Sequence, residues 1–251
     1  MDLFKSGNPT VSEKAFKNTT GFDYNNAMTV SGTVNKFGFM FLMLMGTAYY
    51  AWNESARNVD VQPLIWIGAL GGFVIAMVII FKKEWSPYLA PLYALLEGLF
   101  LGAVSAYYND AFAVKAPGII MNAVGLTFGT VIAMYLLYRF RIIQATQKFK
   151  AIIFTATAGI AIFYLISMVL RMFGIQMAFL HEGSTFGIGF SLVVVAIAAL
   201  NLILDFDMIE QGAAAGAPKY MEWYGAFGLM VTIVWLYLEI LRLLSKLSSR
   251  K

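Results

Sequence analysis

The sequence predicts an all-α membrane protein, and three observations support that class. Of its 251 residues, 60% are hydrophobic and only 13% are charged, whereas a soluble domain carries about a quarter charged residues. The apolar residues fall into blocks of about twenty, the length that crosses roughly 30 Å of hydrocarbon as an α-helix. These runs are continuous and lack the alternation of a transmembrane β-barrel strand. We therefore expect a helical bundle embedded in a bilayer.

Seven such blocks follow a polar N-terminal tail, which predicts seven transmembrane helices. The tail, residues 1–35, has no apolar run of the kind found in a cleavable signal peptide, and residues 36–251 are expected to form one transmembrane domain. The connections are short, so no soluble catalytic domain fits between the spans. The predicted spans are residues 37–52, 62–81, 89–108, 117–138, 151–173, 184–204 and 223–244.

Glycines four residues apart recur in these spans and predict close helix packing. Small residues at this spacing allow two helix backbones to approach each other in a membrane. Pairs in four spans favour a tight bundle. The pairs are Gly68/Gly72, Gly98/Gly102, Gly125/Gly129 and Gly183/Gly187.

The distribution of Lys and Arg predicts the orientation. Most basic residues of the connecting segments fall on the side of the N-terminal tail, and the other side holds only Arg57, Lys115 and Arg171 before the C-terminus. The positive-inside rule then places the N-terminus in the cytoplasm. Four basic residues between positions 242 and 251 oppose this rule, so a re-entrant last segment stays open beside the favoured seven crossings. The short loops suggest a bacterial plasma membrane.

Residue types that are scarce in the chain exclude several functions. The net charge is +4, but the basic residues lie between spans, which favours orientation signals and anionic lipid over nucleic acid. The chain has no Cys and a single His, His181, so a zinc or haem site built from these residues is not expected. His181 is expected in the loop before the sixth span, so a serine–histidine dyad with Ser191 inside the membrane is not expected. We expect neither an enzyme nor a resident cofactor.

Four acidic side chains lie inside predicted spans or at their ends and are the candidate functional residues. Glu97 is near the middle of the third span, Asp205 and Asp207 end the sixth, and Glu239 is late in the seventh. A charged carboxylate near mid-membrane costs at least roughly 2.5–3.5 kcal/mol. Such groups are kept where they face the bundle interior, a wet cavity or a partner.

Helical geometry limits what these acids can contact. Asp205 and Asp207 point about 200° apart, so only one of them can face a given neighbour. Asn201 shares the face of Asp205, and Glu210 shares that of Asp207. A wet helix end at the membrane surface is an open alternative for the acids of the sixth span.

Glu239 has a cation close by in the sequence. Arg242 follows it by three residues and lies on the same helix face. An interfacial Glu–Arg pair is therefore the open alternative to a functional role for Glu239.

Three stretches resemble motifs of the transmembrane Bax inhibitor motif family, also called the Bax inhibitor-1 family. Residues 204–209 (LDFDMI) resemble the aromatic–Asp–x–x–x–Ile ending of the family's sixth helix. Residues 235–244 (WLYLEILRLL) resemble its Leu-Tyr-Leu-acid signature in the seventh. Residues 96–102 (LEGLFLG) resemble a stretch typical of one bacterial branch. The resemblance covers the chain beyond the polar tail.

The resemblance implies six helices around a central C-terminal helix, acting as a pH-sensitive calcium leak channel. In that family two carboxylates on helices six and seven share a proton and control the pore; Asp207 and Glu239 match these positions. At the second of these positions the family usually has Asp, whereas this chain has Glu239. A basic residue entering helix three accompanies the pair in some members, and Lys82 or Lys83 is the candidate here.

The behaviour of a carboxylate pair depends on how many protons it holds. Two carboxylates a few ångströms apart cannot both ionise cheaply, so the pair retains one proton and that proton links the two helices. Without it, the oxygens repel each other and become ligands for a hard cation such as Ca²⁺. We therefore expect Ca²⁺ and H⁺ as ligands of Asp207 and Glu239, with the lipid bilayer as the surroundings. Further candidates for the site are Asp205, Glu97, Glu210, Arg242, Lys82, Lys83 and Asn201.

Two other functions remain open beside the cation leak. A proton-coupled transporter would also use intramembrane carboxylates. A non-transporting regulator would bind other membrane proteins through its helix faces.

Overall fold

The computed structural model describes residues 27–174 and 184–250, and these residues form seven long helices. The predicted all-α class is confirmed. Six of the seven are long and apolar enough to cross a membrane, and the other, α1, has 27 residues. The helices are α1 (Val30–Ala56), α2 (Gln62–Phe81), α3 (Ser86–Ala111), α4 (Ile119–Arg139), α5 (Gln147–Met172), α6 (Thr185–Ala214) and α7 (Met221–Ser249).

The helices extend beyond several predicted spans, because an apolar run marks the hydrocarbon and not the end of helical hydrogen bonding. α1 begins at Val30, inside the predicted tail, where the Thr29 side chain caps it by accepting from the Gly32 amide. α6 continues past residue 204 to Ala214, so all the acids near its end are helical. Residues 1–26 of the predicted tail lie outside the described residues.

α7 is the central helix of the bundle. It packs against α1, α3, α4 and α6, and its side chains also reach α5, as described below. Leu236, Met230 and Leu241 on α7 are almost fully buried. α2 packs on α3, outside the inner ring. α7 is one unbroken helix from Met221 to Ser249, so this segment has no re-entrant break.

Glycine allows the backbones of α1 and α3 to touch. A Cβ atom added at Gly98 would lie 2.3 Å from the Leu44 carbonyl oxygen, and one at Gly102 would lie 2.2 Å from the Ala48 carbonyl oxygen. No side chain fits these gaps without moving a helix. The close packing predicted from this glycine pair is confirmed.

The predicted role of the α4 pair is wrong. Cβ atoms added at Gly125 and Gly129 would meet nothing within 4 Å, so these glycines bring no helix close. Gly183 of the last predicted pair lies outside the described residues. Spacing alone therefore does not distinguish a packed glycine face from a lipid-facing one.

We expect Gly102→Ala to lower the free energy of unfolding by about 1–3 kcal/mol, because the added methyl collides with the α1 backbone. Thermal or denaturant unfolding in detergent micelles measures the change. Gly125→Ala adds the same methyl to open space and is the matched control, expected to lose no stability. Equal stability of the two variants would contradict the close α1–α3 contact.

Candidate functional site

Asp207 lies on the face of α6 that meets α5. Its Oδ2 atom is 2.5 Å from Nζ of Lys150, in the first turn of α5. The same oxygen accepts a 2.6 Å hydrogen bond from Nε2 of Gln211. The Asp207 side chain is 15% exposed, so solvent screens this ion pair less than it screens a surface pair.

Glu239 also contacts α5, nearer its other end. Its two carboxylate oxygens lie 3.0 and 3.2 Å from the Tyr164 hydroxyl, which donates to the carboxylate. Nη1 of Arg242 donates to the same oxygens at 2.9 and 3.1 Å and to the Tyr164 hydroxyl at 2.6 Å. The Glu–Arg pair expected from the spacing is present; its acid is 1% exposed, whereas the Arg242 side chain is 34% exposed.

Asn201 makes a third contact with α5, between the other two. Its Nδ2 atom donates to Oγ1 of Thr157 at 2.8 Å and to the Ile197 carbonyl at 2.8 Å. The three α5 residues, Lys150, Thr157 and Tyr164, are seven apart and share one helix face. This polar stripe in an apolar helix was visible in the sequence but was not recognised there.

The structure does not bring Asp207 and Glu239 together. Asp205, not Asp207, faces α7, where Gly228 and Thr232 lie beside it. Glu239 is seven residues beyond Thr232, about 10 Å further along the α7 axis. The direct bridge implied by the family resemblance is therefore absent between these two residues. The cause is the rotation of about 200° between the two aspartates, which turns Asp207 toward α5.

Asp205 and Glu97 are acids without a cation partner among the described residues. Oδ2 of Asp205 is buried and has no hydrogen-bond partner there. Glu97 is 8% exposed, and a Cβ added at Gly72 would lie 3.0 Å from its Oε2. Gly72 therefore makes room for the Glu97 side chain between α2 and α3. Glu97 lies in the interior, as its central place in the span indicated.

The predicted basic residues Lys82 and Lys83 do not accompany the acids. Both are exposed at the α2–α3 connection, and Nζ of Lys83 lies 5.1 Å from the centre of the Tyr224 ring. The cations beside the two site acids are Lys150 and Arg242 instead. This correction follows from the register of the helices, which places the α2–α3 connection away from both clusters.

Glu210 lies at the wet end of α6. It accepts a hydrogen bond from the Tyr138 hydroxyl, and Nη2 of Arg141 is 3.8 Å from its Oε1. Its side chain is 48% exposed. For Glu210, therefore, the open alternative of a solvated helix end agrees with the structure.

Glu222 is a buried acid that the sequence analysis missed. It is fully buried at the start of α7 and accepts from the Thr29 amide at 2.9 Å and the Thr29 hydroxyl at 2.8 Å. It also pairs with Lys36 and with Lys219, the latter at 2.9 Å. Its place one residue before the predicted seventh span resembled an ordinary loop position. Glu222 fastens the start of α1 to the start of α7.

In the sequence analysis Lys246 served only as a signal for membrane orientation, yet the residue is 2% exposed. Its Nζ atom donates to the Gly187 carbonyl at 3.0 Å and to the Ser191 hydroxyl at 2.8 Å. Ser191 thus supports a buried lysine. Lys246 fastens the end of α7 to the start of α6.

The structure forms no Ca²⁺ site from Asp207 and Glu239, because each acid belongs to a separate cluster. Within residues 27–174 and 184–250, no three acidic or histidine side chains are grouped closely enough to hold a metal ion. Each of the two carboxylates is instead neutralised by a basic side chain.

These features define a polytopic α-helical membrane protein in which buried and partly buried charges fasten helices to one another. A sequence model of the family described as Bax inhibitor 1 like matches residues 8–249. The chain therefore belongs to the Bax inhibitor 1 like family, and the resemblance seen in its motifs is confirmed. Comparison with individual curated proteins gave no match.

A double-mutant cycle tests which partner Asp207 has. We expect Asp207→Asn and Lys150→Met to be coupled by about 0.5–3 kcal/mol in the free energy of unfolding in micelles, because the side chains are in contact. The matched cycle of Asp207→Asn with Glu239→Gln should be additive within about 0.5 kcal/mol, since these groups do not touch. Coupling between Asp207 and Glu239, without coupling between Asp207 and Lys150, would support the direct carboxylate bridge instead.

Proposed function

We propose that this protein is a pH-sensitive leak for cations, calcium foremost, and that α5 is its gate. One observation carries the proposal. Asp207 and Glu239, the two acids that match the family's gating positions, both contact α5, through Lys150 and Tyr164. Proton uptake by either acid therefore acts on the same helix.

The attachment of α5 depends on polar contacts. α5 is the least buried of the six candidate spans, and it packs mainly on α6. Ile162, Leu165 and Met168 are exposed on its surface. Lipid tails are as apolar as these side chains, so apolar packing contributes little net attraction between helices in a membrane. The stripe of Lys150, Thr157 and Tyr164 thus has a large share in holding α5.

Acidification weakens two of these three contacts. A proton on Asp207 removes the negative charge that attracts Lys150, and a proton on Glu239 removes the charge that faces Arg242. The ionised acids hold α5 through these contacts, and the neutral acids hold it less firmly. The other titratable groups facing these acids are Tyr138 for Asp207, and Tyr108 and Lys246 for Glu239.

Movement of α5 would expose the line of contacts between α5 and its neighbours α6 and α7, here called the seam. This seam suits a hard cation. Carboxylate oxygens of Asp207 and Glu239, the amide oxygen of Asn201 and the hydroxyls of Thr157 and Tyr164 lie along it. Oxygen atoms of these kinds are the ligands that Ca²⁺ takes in proteins. When only one acid is protonated, the other stays ionised on the seam and attracts the cation.

We expect Asp207→Asn and Glu239→Gln each to raise Ca²⁺ flux at neutral pH and to flatten its pH dependence, because each amide resembles the protonated acid. A loss of about 1.4 kcal/mol in α5 attachment corresponds to a tenfold rise in the open fraction. Flux into proteoliposomes loaded with a calcium indicator measures both effects. Glu210→Gln, an exposed acid on the same helix, is the control and should behave as wild type. Equal flux in all four proteins would refute the role of the two acids.

A reversible disulfide tests the gate itself. The chain has no Cys, and Thr157 and Asn201 meet side chain to side chain, so Thr157→Cys with Asn201→Cys can lock α5 to α6. We expect oxidation to suppress flux at low pH and a reductant to restore it, while each single Cys variant ignores the oxidant. A locked protein with the wild-type pH response would refute α5 as the gate but leave the leak intact.

One observation favours a second candidate, a non-transporting regulator. α5 turns most of its apolar surface outward, where another membrane protein can pack against it. Absence of flux in every variant, together with stable co-purification of a membrane protein that the α5 variants lose, would favour this function over the leak.

A further inference from the structure

A cavity of about 270 Å³ lies between α1, α3, α4 and α7, apart from all the acids described above. α3 and α7 form its floor, with Leu101 and Met230 among the lining residues. α1 and α4 form its two walls, where Tyr49, Trp52 and Val124 contribute. Nothing in the proposed leak uses this space.

The buried hydroxyls that line the cavity already have partners. The Ser105 and Tyr237 hydroxyls lie 2.6 Å apart and bond to each other. The Thr127 hydroxyl donates to the Ala123 carbonyl one turn earlier in its own helix, at 2.7 Å. The remaining lining is almost entirely apolar, so the cavity offers little to water or an ion, and apolar cavities stay dry.

The cavity is a cleft along the bundle wall. The Phe41 and Phe128 rings close one end, edge to face with centroids 5.8 Å apart. Trp52 is eleven residues further along α1, about 16 Å of helical rise and roughly half of the hydrocarbon thickness. Tyr49, 70% exposed, borders that end, and Trp and Tyr are the side chains typical of the membrane interface. The cleft therefore has about the length of the hydrocarbon of one leaflet.

We propose that this cleft binds one acyl chain of a membrane phospholipid, from the leaflet on the side of the α1–α2 connection. An empty apolar cleft loses dispersion contacts on one side of every lining atom. At this depth the bilayer supplies only hydrocarbon to fill it. The cleft has the length, the direction and the apolar lining that a lipid tail requires, and its aromatic end lies where the headgroup begins.

Native mass spectrometry of protein moved from phosphatidylcholine vesicles into detergent tests the site. We expect the wild type to retain one phosphatidylcholine. Val124→Phe fills the cleft and should lower that occupancy about tenfold, a change of about 1.4 kcal/mol. Met121→Phe, on the same helix but 74% exposed, is the matched control and should retain the lipid. Ile233→Phe fills the cleft from α7 and replaces Val124→Phe if that variant does not fold.

Trp52 gives a second measurement in the membrane. Phosphatidylcholine brominated on its acyl chains should quench Trp52 fluorescence, taken as the difference between wild type and Trp52→Phe, and this quenching should decrease in Val124→Phe but not in Met121→Phe. Equal lipid retention and equal quenching in the two Phe variants would overturn the proposal. Retention of a free fatty acid instead of phosphatidylcholine would also overturn it.

Discussion

The energetic cost of an ionic group in hydrocarbon is the constraint on which this structure depends. The bundle keeps several buried or partly buried ionic groups within its spans or at their ends, and most of them contact a different helix: Asp207 and Glu239 reach α5, Glu222 reaches α1, and Lys246 reaches α6. Removing one partner from such a contact leaves an uncompensated buried charge. In a bilayer, where apolar packing distinguishes poorly between a neighbouring helix and a lipid tail, these contacts help to decide which helices stay together.

Two peripheral helices illustrate two different means of attachment. α1 touches the α3 backbone at Gly98 and Gly102. This contact is steric, so protonation cannot change it. α5 has no comparable contact, since a Cβ at its Gly159 would meet nothing within 4 Å. α5 relies on side chains that titrate or hydrogen-bond to titrating groups. The same fold therefore contains a helix held in part by a steric contact that no proton can change and one held mainly by ionic and hydrogen-bonded side chains.

The sequence was sufficient for the fold and for the interior place of the acids, but not for their partners. Apolar runs located all seven helices, and the bounds of α2 coincide with the predicted span. Which side chains meet across helices depends on rotation and register, which the packing of the whole bundle determines. Asp205 and Asp207 differ by about 200°, so two arrangements were equally consistent with the sequence. The heptad spacing of the polar residues on α5 does not distinguish them either, because Asn201, on the face of Asp205, and Asp207 both contact that stripe.

The glutamate at position 239 fits a link to α5 better than a bridge to α6. Where the family resemblance implies an aspartate, this chain has a side chain one methylene longer. That reach places both carboxylate oxygens within hydrogen-bond distance of Tyr164 and Arg242. A shorter acid would draw back toward the α7 backbone and lengthen the contact with the Tyr164 hydroxyl. At this position the carboxylate is therefore attached to α5, where the family resemblance implied an attachment to α6.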